Sequence, residues 1–197
     1  MQKKILAICY DTGAANALFR PILKIQDDGI VEMVALAEGP AKNVFKSNSI
    51  KARTLVDYGS NQVDLDNISS IIKKEKPDLI FSGFSSGSML EKMFRYAAKI
   101  NGVQSFGLLD MYINYLRGVS DFEIEEPFKF MPDLIGVIDE IAFEDMIKNG
   151  FDKNKLIITG QPYFDGLNDF KLSFTQQDNE FLRSQFNLSV DDYLVTF

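Results

Sequence analysis

The chain has 197 residues, 46% of them hydrophobic and 25% charged, with a formal net charge of −7; this is enough for one α/β domain with a core of its own, and too little for two comfortable ones. There is no histidine and a single cysteine, Cys9, which excludes histidine-dependent catalysis, an internal disulfide and a cysteine metal cluster. Acid–base chemistry is therefore left to Asp, Glu, Lys or Tyr, with no metal or cofactor expected. The acidic balance argues against nucleic acid as a partner, which calls for clustered Lys and Arg; with no signal-peptide core and no apolar run of about 20 residues, the expected location is the cytoplasm.

Lys4 to Tyr10 has the continuous apolar pattern of a strand buried on both faces of a parallel sheet, with Cys9 an inert thiol inside it. The small-residue turn Asp11-Thr12-Gly13-Ala14-Ala15-Asn16 follows, then helical periodicity from Ala17 to Ile25 ended by Asp28-Gly29. Pro21 within that stretch either kinks the helix or opens a later start. Val31 to Ala37 reads as the second strand, Pro40 to Asn48 as a short helix, Ala52 to Val56 as a weak third strand and Asp57 to Asn61 as a loop. Asp64 caps a helix running through Lys74, with Leu65, Ile68, Ile71 and Ile72 on one side.

The fourth strand, Leu79-Ile80-Phe81, opens into the turn Ser82-Gly83-Phe84-Ser85-Ser86-Gly87. From Ser88 the apolar positions Leu90, Met93, Phe94, Ala97 and Ala98 share one helix face. Such a loop leaves helix N–H groups facing open space, where an anion or sugar hydroxyl can dock. Gly83-x-x-x-Gly87 lacks both the P-loop lysine and the dinucleotide spacing, and an ordinary turn with Ser88 as N-cap and Glu91 closing a capping box accounts for it equally well. Val103 to Leu109 is the fifth strand and Asp110 to Met131 a long aperiodic stretch rich in aromatics and acids. Leu134 to Ile138 is a buried strand, Glu140 to Asn149 a helix, Leu156 to Thr159 the last strand, and Thr175 to Phe186 a helix capped by Thr175 and Asp178.

Strands alternating with helices imply right-handed crossovers, hence an open parallel sheet with helices on both faces. Ligands of such sheets sit beyond the carboxyl ends of the strands. The loops after strands one, four and five (Asp11–Asn16, Gly83–Ser88 and Asp110–Tyr115) are thus expected to converge in one cleft.

Pro132-Asp133-Leu134-Ile135-Gly136-Val137-Ile138-Asp139-Glu140, then Gly150-Phe151, then Lys155-Leu156-Ile157-Ile158-Thr159-Gly160-Gln161-Pro162 with Asp165 shortly after, resembles the late N-terminal segment of GT-B sugar-nucleotide enzymes. These include the UDP-N-acetylglucosamine 2-epimerase relatives, the lipid-A-disaccharide synthase type and related polysaccharide glycosyltransferases. Gln161 stands where their strand closes on Thr-Gly-Asn-Pro. The resemblance implies a Rossmann-like α/β lobe over 1–172 on the acceptor side, a linker helix over 173–190, and over 191–197 the first strand of a further lobe that holds most of the nucleotide sugar. The implied function is half of a glycosyltransferase of polysaccharide or glycolipid synthesis, inactive alone. Its partners would be a nucleotide sugar and a sugar or lipid-linked acceptor, and the latter would allow peripheral membrane association. The epimerase variant is less favoured, because its fifth loop carries His-x-Glu where this chain has Leu109-Asp110-Met111. A non-catalytic α/β module that binds a nucleotide or a partner is the alternative from another class.

Sugar transfer needs a base for the acceptor hydroxyl. Asp110, after strand five, is the preferred candidate, and Asp11, after strand one, the second. Thr12, Gly13, Gly83, Ser85 and Ser86 are candidate substrate contacts from the small-residue turns. Tyr112 and Asn114 can stack on or hydrogen-bond a sugar, though aromatics in a long loop also seal core edges. Glu140 faces either the cleft or its own helix dipole.

Overall fold

A computed structural model describes residues 2–121, 125–189, 191–193 and 195. Its strands are β1 (Lys4–Cys9), β2 (Glu32–Ala37), β3 (Ala52–Arg53), β4 (Leu79–Ser82), β5 (Gln104–Leu108), β6 (Leu134–Val137) and β7 (Leu156–Ile158). They form one parallel sheet in the order β3-β2-β1-β4-β5-β6-β7. The apolar runs that predict these strands are buried because helices cover both sides. On one face α1 (Thr12–Asp28) and α2 (Ala41–Ser47) pack on Ala7, Cys9, Ala35 and Phe81; on the other α3 (Leu65–Glu75) and α4 (Leu90–Ile100) pack on Leu6, Ile8, Leu36 and Ile80. A third cluster joins β6 and β7 to α5 (Glu140–Lys148) through Ile135, Val137, Ala142, Met146 and Leu156. Strand order reverses between β1 and β4, so the loops that follow them flank the switch point.

Two boundaries differ from expectation for identifiable reasons. Helix α1 begins at Thr12, not Ala17, because the Asp11 side chain accepts from the Ala14 amide as N-cap. Ala14, Ala15 and Ala17 are fully buried, so the first turns lie directly on the sheet. Pro21 is inside the helix, which removes the alternative of a later start. Strand β3 stops at Arg53 rather than Val56, because the Asp57 carboxylate accepts from the Thr54 amide (2.7 Å) and hydroxyl (2.9 Å) and folds the chain into a single turn at Val56–Tyr58. As a result β2 is paired on its outer side only at Ala35 and Leu36.

Contacts divide the chain into one unit ending at Tyr163 and a second from Phe164 onward, ahead of the expected boundary at 172. The second unit opens with a helix that periodicity did not announce, α6 (Asp165–Ser173), followed by α7 (Gln176–Gln185). Thr175 and Asp178 cap α7 reciprocally, as their spacing predicts. Of the expected final strand Tyr193–Phe197, residues 194, 196 and 197 lie outside the described residues; Tyr193 and Val195 are exposed and carry no strand.

Candidate functional site

The carboxyl ends of β1, β4 and β5 bring five of the expected residues together. Asp11 caps α1, and its own amide donates to Ser85 Oγ at 3.4 Å, linking the first loop to the fourth. A Cβ on Gly13 would stand 2.2 Å from Asp110 Oδ2 and 3.7 Å from Asp11 Oδ1. The Asp110 carboxyl therefore lies against the bare α-carbon of Gly13, with Asp11 on the same side. Burial, and then the charge of Asp11, push the Asp110 carboxyl up to about 6, and its Oδ1 is buried with no hydrogen-bond partner among the described residues. A carboxyl with that proton affinity at the end of a central strand can give and take a proton near neutrality.

Gly83 serves packing: a Cβ there would meet Ala14 Cβ at 2.3 Å and Glu91 Oε1 at 2.9 Å. Ser85 is buried and Ser86 half-buried, with the Ser86 carbonyl accepting from Lys92 Nζ at 3.4 Å. Thr12 is exposed at the start of α1.

The expected capping box of Ser88 and Glu91 does not form. Ser88 Oγ accepts from the Leu90 amide at 3.1 Å, and α4 has no side-chain cap. Glu91 instead turns inward, fully buried, and accepts from the Tyr10 amide through Oε1 and from the Ser85 amide through Oε2, both at 3.1 Å. Asp11 thus occupies the start of α1, while the Glu91 carboxylate is taken up by the amides of two loops rather than by the start of α4. One turn on, Arg95 is also buried. Nε donates to the Phe130 carbonyl (2.9 Å), Nη1 to Ser82 Oγ (3.0 Å) and the Gly83 carbonyl (2.9 Å), and Nη2 to the Gly118 carbonyl, while the guanidinium covers the Phe84 ring. Burial lowers Arg95 to about 10 and Lys92 to about 8. Beneath the loops, Cys9 is fully buried, and burial followed by the charges of Glu91, Asp11 and Asp110 holds its thiol well above the usual range.

Beyond Asp110 the third loop makes other contacts. Tyr112 and Asn114 line a cavity of about 390 Å³ with Arg117 and Asp145, and Asn114 takes a left-handed backbone (φ 60°). The Tyr112 hydroxyl donates to Asp139 Oδ2 at 2.7 Å, and Asp139, rather than Glu140, caps α5; Glu140 is exposed. A larger cavity, about 630 Å³, lies at the β2–β3 edge of the sheet between Lys51, Arg53, Tyr58 and Lys74.

Sequence reasoning missed Glu91, Arg95, Asp139 and Gln161, whose Nε2 donates to the Asp110 carbonyl at 3.5 Å. A signal existed for two of them. On a helical wheel Glu91 and Arg95 follow Ala98 without a gap, extending the buried arc of α4.

A parallel sheet of this order, with its candidate groups at the β1–β4 reversal, is the Rossmann-like architecture of a GT-B N-terminal lobe. The particular structures that share it include the UDP-GlcNAc 2-epimerase of Methanocaldococcus jannaschii in complex with UDP-GlcNAc and UDP, at 18% identity and TM-score 0.64 over 96% of this chain and 55% of that one. They also include the Neisseria meningitidis UDP-GlcNAc 2-epimerase bound to UDP-GlcNAc (15%, TM-score 0.63, 93% and 53%) and MurG of Acinetobacter baumannii (12%, TM-score 0.53, 81% and 45%). The chain spans about half the length of these proteins, and at such identities the likeness is one of fold. No family model and no curated protein matches the sequence. Among the described residues no helix is long and apolar enough to cross a membrane.

Proposed function

We propose that the chain is the acceptor-side half of a sugar-nucleotide glycosyltransferase, with Asp110 as its base. The observation that carries this reading is the Asp110 carboxyl, lodged against Gly13 beside Asp11 and raised to about 6. In the reaction, Asp110 takes the proton of the acceptor hydroxyl as that oxygen bonds to the anomeric carbon; the bond from that carbon to the diphosphate breaks, and the nucleoside diphosphate leaves. Asp11 strengthens Asp110 as a base by its like charge. The diphosphate needs positive groups, whereas the start of α1 is capped by the Asp11 carboxylate, so the donor is assigned to a second lobe. The setting is cytoplasmic polysaccharide or glycolipid synthesis, at a membrane surface where the acceptor is lipid-linked.

Calorimetric titration of the 197-residue chain with UDP-, GDP- and CDP-sugars should show binding no tighter than about millimolar, roughly −4 kcal/mol, and no turnover. In a protein with both lobes, Asp110→Asn should cut turnover by on the order of 10²–10⁴. Tight binding or turnover by this chain alone would overturn the two-lobe reading; unchanged turnover in the variant would remove Asp110 as the base. The recurrence of UDP-GlcNAc 2-epimerases among the similar structures supports a second reading, inversion at the sugar C2. Product analysis separates the two, since transfer releases a nucleoside diphosphate joined to no sugar, whereas epimerisation leaves the nucleoside diphosphate joined to a sugar inverted at C2.

A further inference from the structure

Glu91 is a carboxylate with no exposure to solvent at a place where an apolar side chain would bury at less cost. Both its oxygens are used, and by different loops: Oε1 accepts from Tyr10, directly before Asp11, and Oε2 from Ser85, whose hydroxyl in turn accepts from the Asp11 amide. Along the chain Tyr10 lies 81 residues from Glu91 and Ser85 only 6. Gly83 makes the room, since a Cβ there would come 2.9 Å from Oε1.

We propose that Glu91 is the positioning residue of this site: its carboxylate clamps the β1 loop to the β4 loop, fixes Asp11 in place, and through Asp11 sets how tightly Asp110 holds its proton. The ionised groups around it are consistent with a device of this kind. Burial, joined by the like charge of Asp11 after β1, lifts Glu91 to about 7 against the hydrogen bonds from Ser85 and Tyr10 and the charge of Arg95 on α4. Cys9 on β1 and Lys92 on α4 also feel the Glu91 charge. Asp110 responds to burial and to Asp11, so a change in Asp110 on altering Glu91 reports where Asp11 sits.

The inference rests on the reading of Asp110 as a base for its catalytic consequence alone; its test reads titrations, so failure of sugar transfer and failure of the clamp are distinguishable. In NMR titrations of the unmodified chain, the amide protons of Tyr10 and Ser85 should shift together with one midpoint, that of the Glu91 carboxyl carbon. In Glu91→Gln, which keeps the volume but offers one oxygen, the Asp110 carboxyl midpoint should fall by roughly one pH unit as Asp11 moves away. Glu91→Asp, too short to reach both loops, should do the same. An unchanged Asp110 midpoint in either variant overturns the proposal. So do separate midpoints for Tyr10 and Ser85 in the unmodified chain, a measurement that stands even where a variant does not fold.

Discussion

On the β1–β4 flank of the site α1 starts almost at the end of β1, the β4 loop runs only from Gly83 to Met89, and the space between them is closed by Ala14, Gly83 and the buried pair Glu91 and Arg95. On the β5 flank the chain leaves Leu108 and returns only at Leu134, and the described residues between them include a turn at Tyr115–Gly118 and another at 127–130. Its tip, Tyr112 and Ile113, is 44% and 65% exposed, whereas Tyr115, Gly118 and Val119 just beyond are buried. The difference is instructive because the loose flank takes its fixed point from the tight one. Arg95 holds the carbonyls of Gly118 and Phe130, and a Cβ on Gly118 would stand 2.4 Å from the Phe84 ring carbon. A helix of the fourth crossover thus sets where the aromatic tip of the fifth loop can reach.

Breaking that connection should have the largest effect. Arg95→Met keeps much of the volume but strands several buried acceptors, at a cost of about 3–5 kcal/mol. Urea denaturation measures the loss, and limited proteolysis should show new cleavage near Ile113. A loss below about 1 kcal/mol would mean the flanks stand independently. Next in size is pH. Glu91 rises from 4.5 to about 7 on folding, so between those values the folded chain holds a proton that the unfolded chain has released. Stability should therefore fall as pH rises through that window, by about 3 kcal/mol from this group, and Glu91→Gln should flatten the slope. A stability that climbed across the same window would contradict the burial assigned to Glu91.

The glycines sharpen the contrast at smaller scale. Gly83→Ala meets the Cβ of Ala14, which has no flexible end to move, and should cost about 1–3 kcal/mol. Gly13→Ala meets the tip of the Asp110 side chain, which can swing aside; it should cost less while returning the Asp110 titration toward ordinary carboxylate values. Equal costs with an unmoved Asp110 would place that carboxyl elsewhere. Smallest of all, Tyr112→Phe removes an exposed hydroxyl bond to Asp139 and should change stability by no more than about 0.5 kcal/mol in a thermal melt.

The sheet and the convergence of Asp11, Gly13, Gly83, Ser85 and Asp110 were legible because apolar runs mark buried parallel strands and small residues mark their carboxyl turns. The first turns of α1 were not, since Ala14, Ala15 and Asn16 carry too little bulk to draw a periodic face. Glu91 was hidden by a plausible local partner: Ser88-x-x-Glu91 reads as a capping box, and only the fold brings Tyr10 to the same carboxylate. Arg95 was hidden because a buried guanidinium depends on carbonyls from Gly83, Gly118 and Phe130, contributed by segments with no periodic relation to α4. Asp139 and Glu140 are neighbours of like chemistry, and which of them caps α5 is decided by where β6 ends.

Cys9 is shut inside β1 with its thiol held protonated by burial and surrounding carboxylates. Thiol-directed reagents react with the thiolate, so at neutral pH they should pass over the only native cysteine. A cysteine placed at the exposed position 113 then becomes a selective attachment point, and a spin label or fluorophore there can follow the tip of the fifth loop in the otherwise unaltered chain.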